Sequence, residues 1–142
     1  YTLRLHADSL VLEQTVDLLL DPRVVAAGVS PEDVQKQEAL ALQIVALQTE
    51  ARQLELKVKK MRKELENKAG KEPLTEQQQA QAEQLAEVEK QLVTARGDYT
   101  QPMFLSQVNY LYDLVDQADQ APGRDVVERY SELKIWFEGI KF

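Results

Sequence analysis

The stretch LALQIVALQTEARQLELKVKKMRKEL, residues 40–65, decides the fold of this chain. Its apolar residues recur at alternating spacings of four and three, the heptad pattern of a helix that buries one side against other helices. No glycine or proline interrupts residues 32–69. The pattern therefore predicts one helix over about residues 31–68, roughly 55 Å long. Its buried seam consists of Leu40, Ile44, Leu47, Ala51, Leu54, Val58, Met61 and Leu65.

Both ends of this helix carry recognisable signals. Ser30 is expected to cap the N-terminus, with Pro31 in the first helical position and Asp33 completing a variant of the capping box. Gly70 is the expected C-cap, and Pro73 blocks continuation of the helix. A helix of this length exceeds what a compact domain of 142 residues needs, so part of it is expected to project.

Three further helices are predicted, over about residues 75–97, 102–119 and 124–140. Thr75 and Gln78 form a capping box for the first of them. The second and third are joined by a short break at residues 121–123, which makes them an antiparallel hairpin. The helix at 75–97 should cover the distal half of the long helix, with a seam of Leu85, Val88, Leu92, Ala95 and Tyr99. The last two should cover its proximal half, where an aromatic core is expected from Tyr99, Phe104, Tyr110, Tyr112, Tyr130, Trp136, Phe137 and Phe142.

Residues 1–20 predict a β-hairpin. Leu3 and Leu5 alternate with polar residues, residues 7–9 form a polar turn, and Val16, Leu18 and Leu20 alternate in a second strand. Residues 21–23 end that strand and residues 24–29 form a loop. Because an isolated hairpin is marginal in water, its strands either pack on the helices or, as we favour, join a sheet whose other strands lie upstream.

The predicted fold is therefore mainly α: an antiparallel helical bundle with a long coiled-coil-like helical hairpin, preceded by a short β-hairpin. Two regions are expected. Residues 1–23 would be the end of an upstream β-sandwich-like domain, and residues 24–142 would form a four-helix domain.

Composition excludes several classes of site. The chain has no cysteine and one histidine, which rules out disulfides, thiolate zinc sites, and sites that need two imidazoles from one chain. The net charge of −7 argues against a nucleic-acid module. The longest uncharged run, residues 39–49, is far short of a membrane span.

Two charged clusters have competing interpretations. The basic residues Lys57, Lys59, Lys60, Arg62, Lys63, Lys68 and Lys71 could form a patch for nucleic acid or anionic lipid. The favoured interpretation is that they complement Glu76, Glu83, Glu87 and Glu89 on the antiparallel neighbouring helix. Asp113, Asp116 and Asp119 lie three residues apart, but on a helix rather than on the turning loop of a calcium site, so a solvated face is expected.

The remaining candidates also favour structural roles. His6 lies on the strand face opposite Leu3 and Leu5, without an acid or nucleophile placed beside it by the sequence. Tyr110, Tyr112, Tyr130 and Trp136 could line a ligand groove, although aromatic residues at helical spacing more often form a core. No catalytic, cofactor-binding or metal-binding residue is therefore predicted, and no cofactor.

Three segments resemble a known family: residues 18–23 (LLLDPR), residues 107–112 (QVNYLY), and residues 118–122 (ADQAP) followed by 130–133 (YSEL). Together they resemble the C-terminal region of bacterial sortilin-like, Asp-box β-propeller proteins, often labelled glycosyl hydrolases. The resemblance implies a secreted or cell-envelope protein in which any carbohydrate-related activity belongs to an upstream propeller. No Asp-box occurs in this sequence, so no catalytic residue is carried over.

Three functional hypotheses follow. The first is a non-catalytic accessory, scaffolding or protein-interaction domain of a larger secreted protein, with the upstream domain of the same chain as its partner, or another protein. The second is homo-oligomerisation through the heptad seam. The third is a fragment of a glycoside-hydrolase-like protein whose active site lies upstream. Neither nucleic acid nor a membrane span is expected.

Overall fold

The computed structural model describes residues 1–140, and its longest element is a helix of 39 residues, here α2 (Pro31–Ala69). The predicted start of this helix is confirmed. The hydroxyl of Ser30 accepts a hydrogen bond from the backbone N–H of Asp33 at 3.2 Å, and the Asp33 carboxylate accepts one from the Ser30 N–H at 3.1 Å. Gly70 caps the other end. At 1.5 Å per residue, α2 is about 58 Å long.

Within residues 1–140, six further elements precede or follow α2 along the chain. Strands β1 (Thr2–Ala7) and β2 (Leu10–Thr15) form an antiparallel hairpin, followed by a short helix, α1 (Pro22–Ala26). After α2 come α3 (Glu76–Leu92), α4 (Phe104–Asp116) and α5 (Arg124–Ile140). The predicted fold class, a mainly helical bundle with a long helical hairpin behind a short β-hairpin, is confirmed.

The last three helices divide α2 into two zones. Helix α4 runs antiparallel to the first half of α2, because Gln37 bonds to Val115 near its end and Gln48 bonds to Asn109 further back. Helix α3 is antiparallel to the second half, where Arg62 pairs with Glu89. Helix α5 returns beside the first half. We call the three-helix part (residues 31–53, α4 and α5) the base, and the two-helix part (residues 54–69 and α3) the arm.

The heptad seam of α2 forms the centre of the buried core. Ile44, Ala51 and Val58 are fully buried, whereas Leu54 and Met61 are partly buried and pack against the same core. In the base, the Phe104 ring stacks on Phe137 at a centroid distance of 5.1 Å and meets Trp136 edge-on at 5.4 Å.

The expected aromatic core is smaller than predicted. Phe104 and Phe137 are buried, and Tyr112, Tyr130 and Trp136 are partly buried. Tyr110 is exposed, and Tyr99 is fully exposed in a left-handed backbone conformation with φ of 59°. Phe142 lies outside the described residues.

The predicted bounds of two helices are wrong at their ends. Helix α3 ends at Leu92 rather than near residue 97, because the chain turns at Val93 and brings Thr94 to the start of α4. There the Thr94 hydroxyl accepts a hydrogen bond from the Met103 N–H at 2.9 Å and bonds to the Ser106 hydroxyl at 2.7 Å. Ala95 and Tyr99 consequently lie outside the seam. Helix α4 covers residues 104–116 rather than 102–119, and Ala118 is exposed beyond it.

The predicted position of the second strand is also wrong. It covers residues 10–15, directly after a two-residue turn at Asp8 and Ser9, with Ala7 opposite Leu10 and Thr2 opposite Thr15. Asp8 adopts φ of 51°, a conformation that aspartate tolerates in tight turns. Residues 16–20, predicted as strand, have no regular structure. Residues 22–26, predicted as strand end and loop, form α1, because the Asp21 carboxylate accepts a hydrogen bond from the Arg23 N–H at 2.8 Å.

Candidate functional surfaces

The hairpin exposes several large apolar side chains. Leu3, Leu5, Leu10 and Leu12 project from the same side of the two strands, and between 52% and 60% of each is exposed. We call this side the hairpin face. The opposite side carries an ion pair between Arg4 and Glu13 at 2.5 Å. His6 lies on this polar side, as predicted, and is paired with Val11.

Nothing else in the described chain covers the hairpin. No helix between residues 22 and 140 contacts β1 or β2, and the sheet contains only these two strands, so each strand has one edge without a neighbour. A two-stranded sheet of this kind has marginal stability in water. Of the two alternatives for the hairpin, packing on the helices is therefore not seen within residues 1–140, and pairing with upstream strands stays a prediction.

A groove of about 770 Å³ lies between α4 and α5, and its lining residues all come from residues 101–129. Its lining is largely apolar and includes Leu111, Leu114, Val126 and Tyr110. Arg129 closes part of the rim by donating a hydrogen bond to the side-chain oxygen of Gln107.

A smaller groove of about 310 Å³ lies between α2 and α4. We call it the acidic groove, because three of its lining residues, Glu38, Asp116 and Asp119, are carboxylates. The rest of its lining is Val34, Gln37, Ala41, Leu42, Val45 and Tyr112.

The four aromatic residues considered as a ligand site do not converge. Tyr110 lines the groove between α4 and α5, and Tyr112 lines the acidic groove. Tyr130 lies in a third depression between α2 and α5, and Trp136 packs against Phe104. These side chains therefore cannot bind one ligand together.

The basic residues of the arm are only partly matched by the acidic residues of α3. Arg62 pairs with Glu89 across the two helices, as expected for that pair. Lys59 pairs with Glu55 on its own helix at 2.6 Å instead of reaching α3. Among residues 1–140, no ion pair joins Lys60 or Lys63 to another residue. Both are exposed and leave positive charge on the outer surface of α2.

The three aspartates do not form a cluster of ligands. Asp113 and Asp116 are exposed on α4, and Asp119 lies beyond its end. In the part of the chain that the structure describes, no group of three or more histidine, aspartate or glutamate residues could hold a metal ion. Within the same residues, no helix is long and apolar enough to cross a bilayer.

The shifted pKa values of the carboxylates have structural causes. The pKa of Asp33 is lowered by the backbone N–H of Ser30 in the helix cap, and that of Asp21 by its hydrogen bond with the Arg23 side chain. Burial raises the pKa of Glu55, but hydrogen bonds from Lys59 and Arg52 outweigh burial and leave it below its usual value. Each of these carboxylates thus has a capping or ion-pairing role that accounts for its shift.

No protein-family model, no curated protein and no solved structure matches the chain.

Two features of these surfaces were missed in the sequence. Gln37 is buried and occupies the seam position that precedes Leu40 along α2. The spacing of three residues between Gln37 and Leu40 fits the heptad pattern and could have revealed this position. Leu42, Val45 and Leu56 form an exposed apolar stripe on the other side of α2. Their spacings of three and eleven residues also fit a heptad pattern, so the sequence could have predicted this second apolar stripe.

Proposed function

We propose that this chain is a non-catalytic scaffolding module that attaches, through the hairpin face, to a β-structured domain of the same protein or of a partner. One observation supports the proposal above the others: four leucines of the hairpin face are exposed together, and no described helix covers them. Contiguous apolar surface of this kind usually marks an interaction site.

The shape of the hairpin favours a sheet as its partner. Its leucines alternate with Thr2, Arg4 and His6, so one side is apolar and the other polar, as in the outer strands of a β-sandwich. The unpaired edges of β1 and β2 can each add a further strand. A helix could cover the leucines but would leave the backbone groups at these edges without partners.

The helices supply the scaffold behind this attachment. Because α2 extends through both base and arm, it holds the end of the arm tens of ångströms from the start of the base. The described carboxylates with shifted pKa values all serve caps or ion pairs, which supports a role without chemistry of its own. The resemblance to sortilin-like proteins supports a secreted or cell-envelope setting for this scaffold.

Hydrogen–deuterium exchange tests the attachment. In the isolated 142-residue chain, the amides of β1 and β2 should exchange rapidly, because an uncovered hairpin opens at little cost. In the native protein with its neighbouring domains or partners bound, the same amides should be protected, while protection of α4 and α5 remains unchanged. Equally fast exchange of the hairpin in both samples would contradict the proposal.

A matched pair of variants identifies the surface responsible. Leu5→Ser combined with Leu12→Ser changes the hairpin face, and these residues are opposite each other in the sheet. Arg4→Ser combined with Glu13→Ser changes an opposite pair on the polar side. Protection in the native protein should be lost in the first variant and retained in the second.

A further inference from the structure

The outer side of α2 carries a line of apolar residues that stay exposed in the single chain. Its inner side buries the heptad seam, whereas Leu42 and Leu56 on the outer side are 62% and 66% exposed and Val45 is 38% exposed. Leu42 and Leu56 are two heptads apart, so they lie on nearly the same line along the helix. All three side chains are among the exposed apolar residues, so the described chain leaves this line open at residues 42, 45 and 56.

Charge is distributed unevenly along the same side. Its first half contains the acidic groove, whose lining includes Leu42 and Val45 together with the carboxylates of Glu38, Asp116 and Asp119. Its second half contains Leu56 followed by Lys60 and Lys63, which are exposed and joined to no acidic residue among residues 1–140. The first half is thus an acidic apolar depression, and the second half is an apolar side chain with basic neighbours.

We propose that two copies of this chain associate through the outer side of α2, antiparallel about a two-fold axis that passes between Thr49 and Arg52. In an antiparallel pair, residues at equal distances on either side of the axis meet. Residues 45 and 56 are equidistant from this axis, and so are residues 38 and 63. Leu56 of each copy then enters the acidic groove of the other and packs against Val45, while Lys63 approaches Glu38.

The proposed dimer leaves no copy of this surface unpaired, because each contact occurs twice. A two-fold interface uses the same surface on both copies, so both acidic grooves are filled and both basic segments are matched at once. Helices α4 and α5 flank the inner side of α2 in the base, which leaves the outer side accessible to a partner helix. This surface differs from the heptad seam, whose residues are already covered by α3, α4 and α5.

The expected complex is weak and sensitive to salt. A contact between one helix from each copy is narrow and falls at the low end of specific interfaces. Exposed charge pairs are screened as ionic strength rises. Sedimentation velocity of the 142-residue chain in low salt should therefore show the mass rising with concentration from 16.2 kDa towards twice that value. Salt at about 1 M should reverse the rise. A monomer at every concentration in low salt overturns the proposal.

Charge exchange provides the decisive variants. Glu38→Lys alone and Lys63→Glu alone should each weaken the dimer by roughly tenfold, because each places like charges opposite one another twice. The double variant Glu38→Lys with Lys63→Glu should restore it. The two residues lie about 38 Å apart along one helix, so they can compensate each other only between copies. Failure of the double variant to recover contradicts the predicted register.

Two further variants locate the surface. Leu56→Ser should weaken the dimer by about tenfold or more and leave the helical content unchanged, since Leu56 is exposed in the single chain. Leu5→Ser with Leu12→Ser should leave the dimer intact. If the hairpin variant abolishes the dimer instead, the copies associate through the hairpin face and this proposal is wrong. The scaffolding role is tested separately, by protection of the hairpin in the native protein.

Discussion

The side-chain nitrogen of Gln37 in α2 donates a hydrogen bond of 2.6 Å to the carbonyl oxygen of Val115 in α4. The same nitrogen also donates to the Ala118 carbonyl at 2.8 Å, and the side-chain oxygen of Gln37 accepts from the Gln120 N–H at 3.4 Å. One buried amide thus provides partners for backbone groups where α4 ends, groups that a helix end leaves unsatisfied. It also fixes the position of α4 along α2.

Replacing Gln37 should destabilise the base. Gln37→Ala removes the donor of the buried hydrogen bond to the Val115 carbonyl, and leaving a buried group unpaired typically costs about 1–3 kcal/mol. Urea denaturation should show this loss in the free energy of unfolding. Gln35→Ala is the matched control, because Gln35 is exposed on the same helix, and its effect should stay within about 0.5 kcal/mol. Equal effects of the two substitutions would show that the Gln37 contacts contribute nothing.

Glu55 should make stability depend on pH. Its side chain is only 9% exposed and pairs with Arg52 at 3.0 Å and Lys59 at 2.6 Å. Because its folded pKa is below the ordinary value of 4.5, its contribution is fully present above pH 4.5 and is lost as pH falls through the folded pKa. The difference in unfolding free energy between the wild type and Glu55→Gln should therefore shrink below pH 4.5. Glu64→Gln, at an exposed position, should give no comparable change, and a constant difference for Glu55→Gln would contradict the ion-pairing role.

The arm should respond separately from the base to a core substitution. Leu85 is 1% exposed and belongs to the seam of α3. Leu85→Ala removes buried apolar contacts, at a typical cost of about 2–5 kcal/mol. Hydrogen exchange should accelerate mainly in α3 and residues 54–69, because α3 packs mostly against α2 and only to a small extent against α4 and α5. Gln84→Ala, at an exposed neighbouring position, is the control. An equal loss of protection in α4 and α5 would show that arm and base unfold as one unit.

The hairpin should contribute little to the stability of the isolated helices. Because no described helix contacts it, Leu5→Ser with Leu12→Ser should change their unfolding free energy by less than about 0.5 kcal/mol. Thermal unfolding followed by helical circular dichroism measures this directly. A loss comparable to that of a core substitution would mean that the hairpin packs on the helices in solution.

The helical part of this fold could be predicted from the sequence, because capping residues and heptad spacing are local features. Ser30, Pro31 and Asp33 specify the start of α2, and the seam from Leu40 to Leu65 follows from spacing alone. The division of α2 between α3 and the pair α4–α5 followed from helix lengths and the turn at Gly70. These features need no knowledge of distant contacts, so sequence reasoning can reach them.

The errors arose where tertiary contacts or tight turns decide the structure. The apolar spacing of α3 continues to Tyr99, but Thr94 leaves the helix to bond with Met103 and Ser106, a contact that spacing cannot reveal. Alternation at Val16, Leu18 and Leu20 suggested a strand, whereas the two-residue turn at Asp8 and Ser9 places the strand earlier. The acidic groove depends on how α4 lies against α2. Its lining residues on the two helices are about seventy or more positions apart in the sequence, so no local pattern predicts that they meet.

A continuous α2 is the central claim, because the arm, the base and the scaffolding role all depend on one unbroken helix. The chain has no cysteine, so in the double variant Gln35→Cys with Lys68→Cys spin labels attach only to the two introduced cysteines. Both positions are exposed. Double electron–electron resonance, with excess unlabelled chain to suppress distances between copies, should give one narrow distribution near 50 Å. A broad distribution, or one centred below about 40 Å, would show that α2 bends or breaks and would contradict this account.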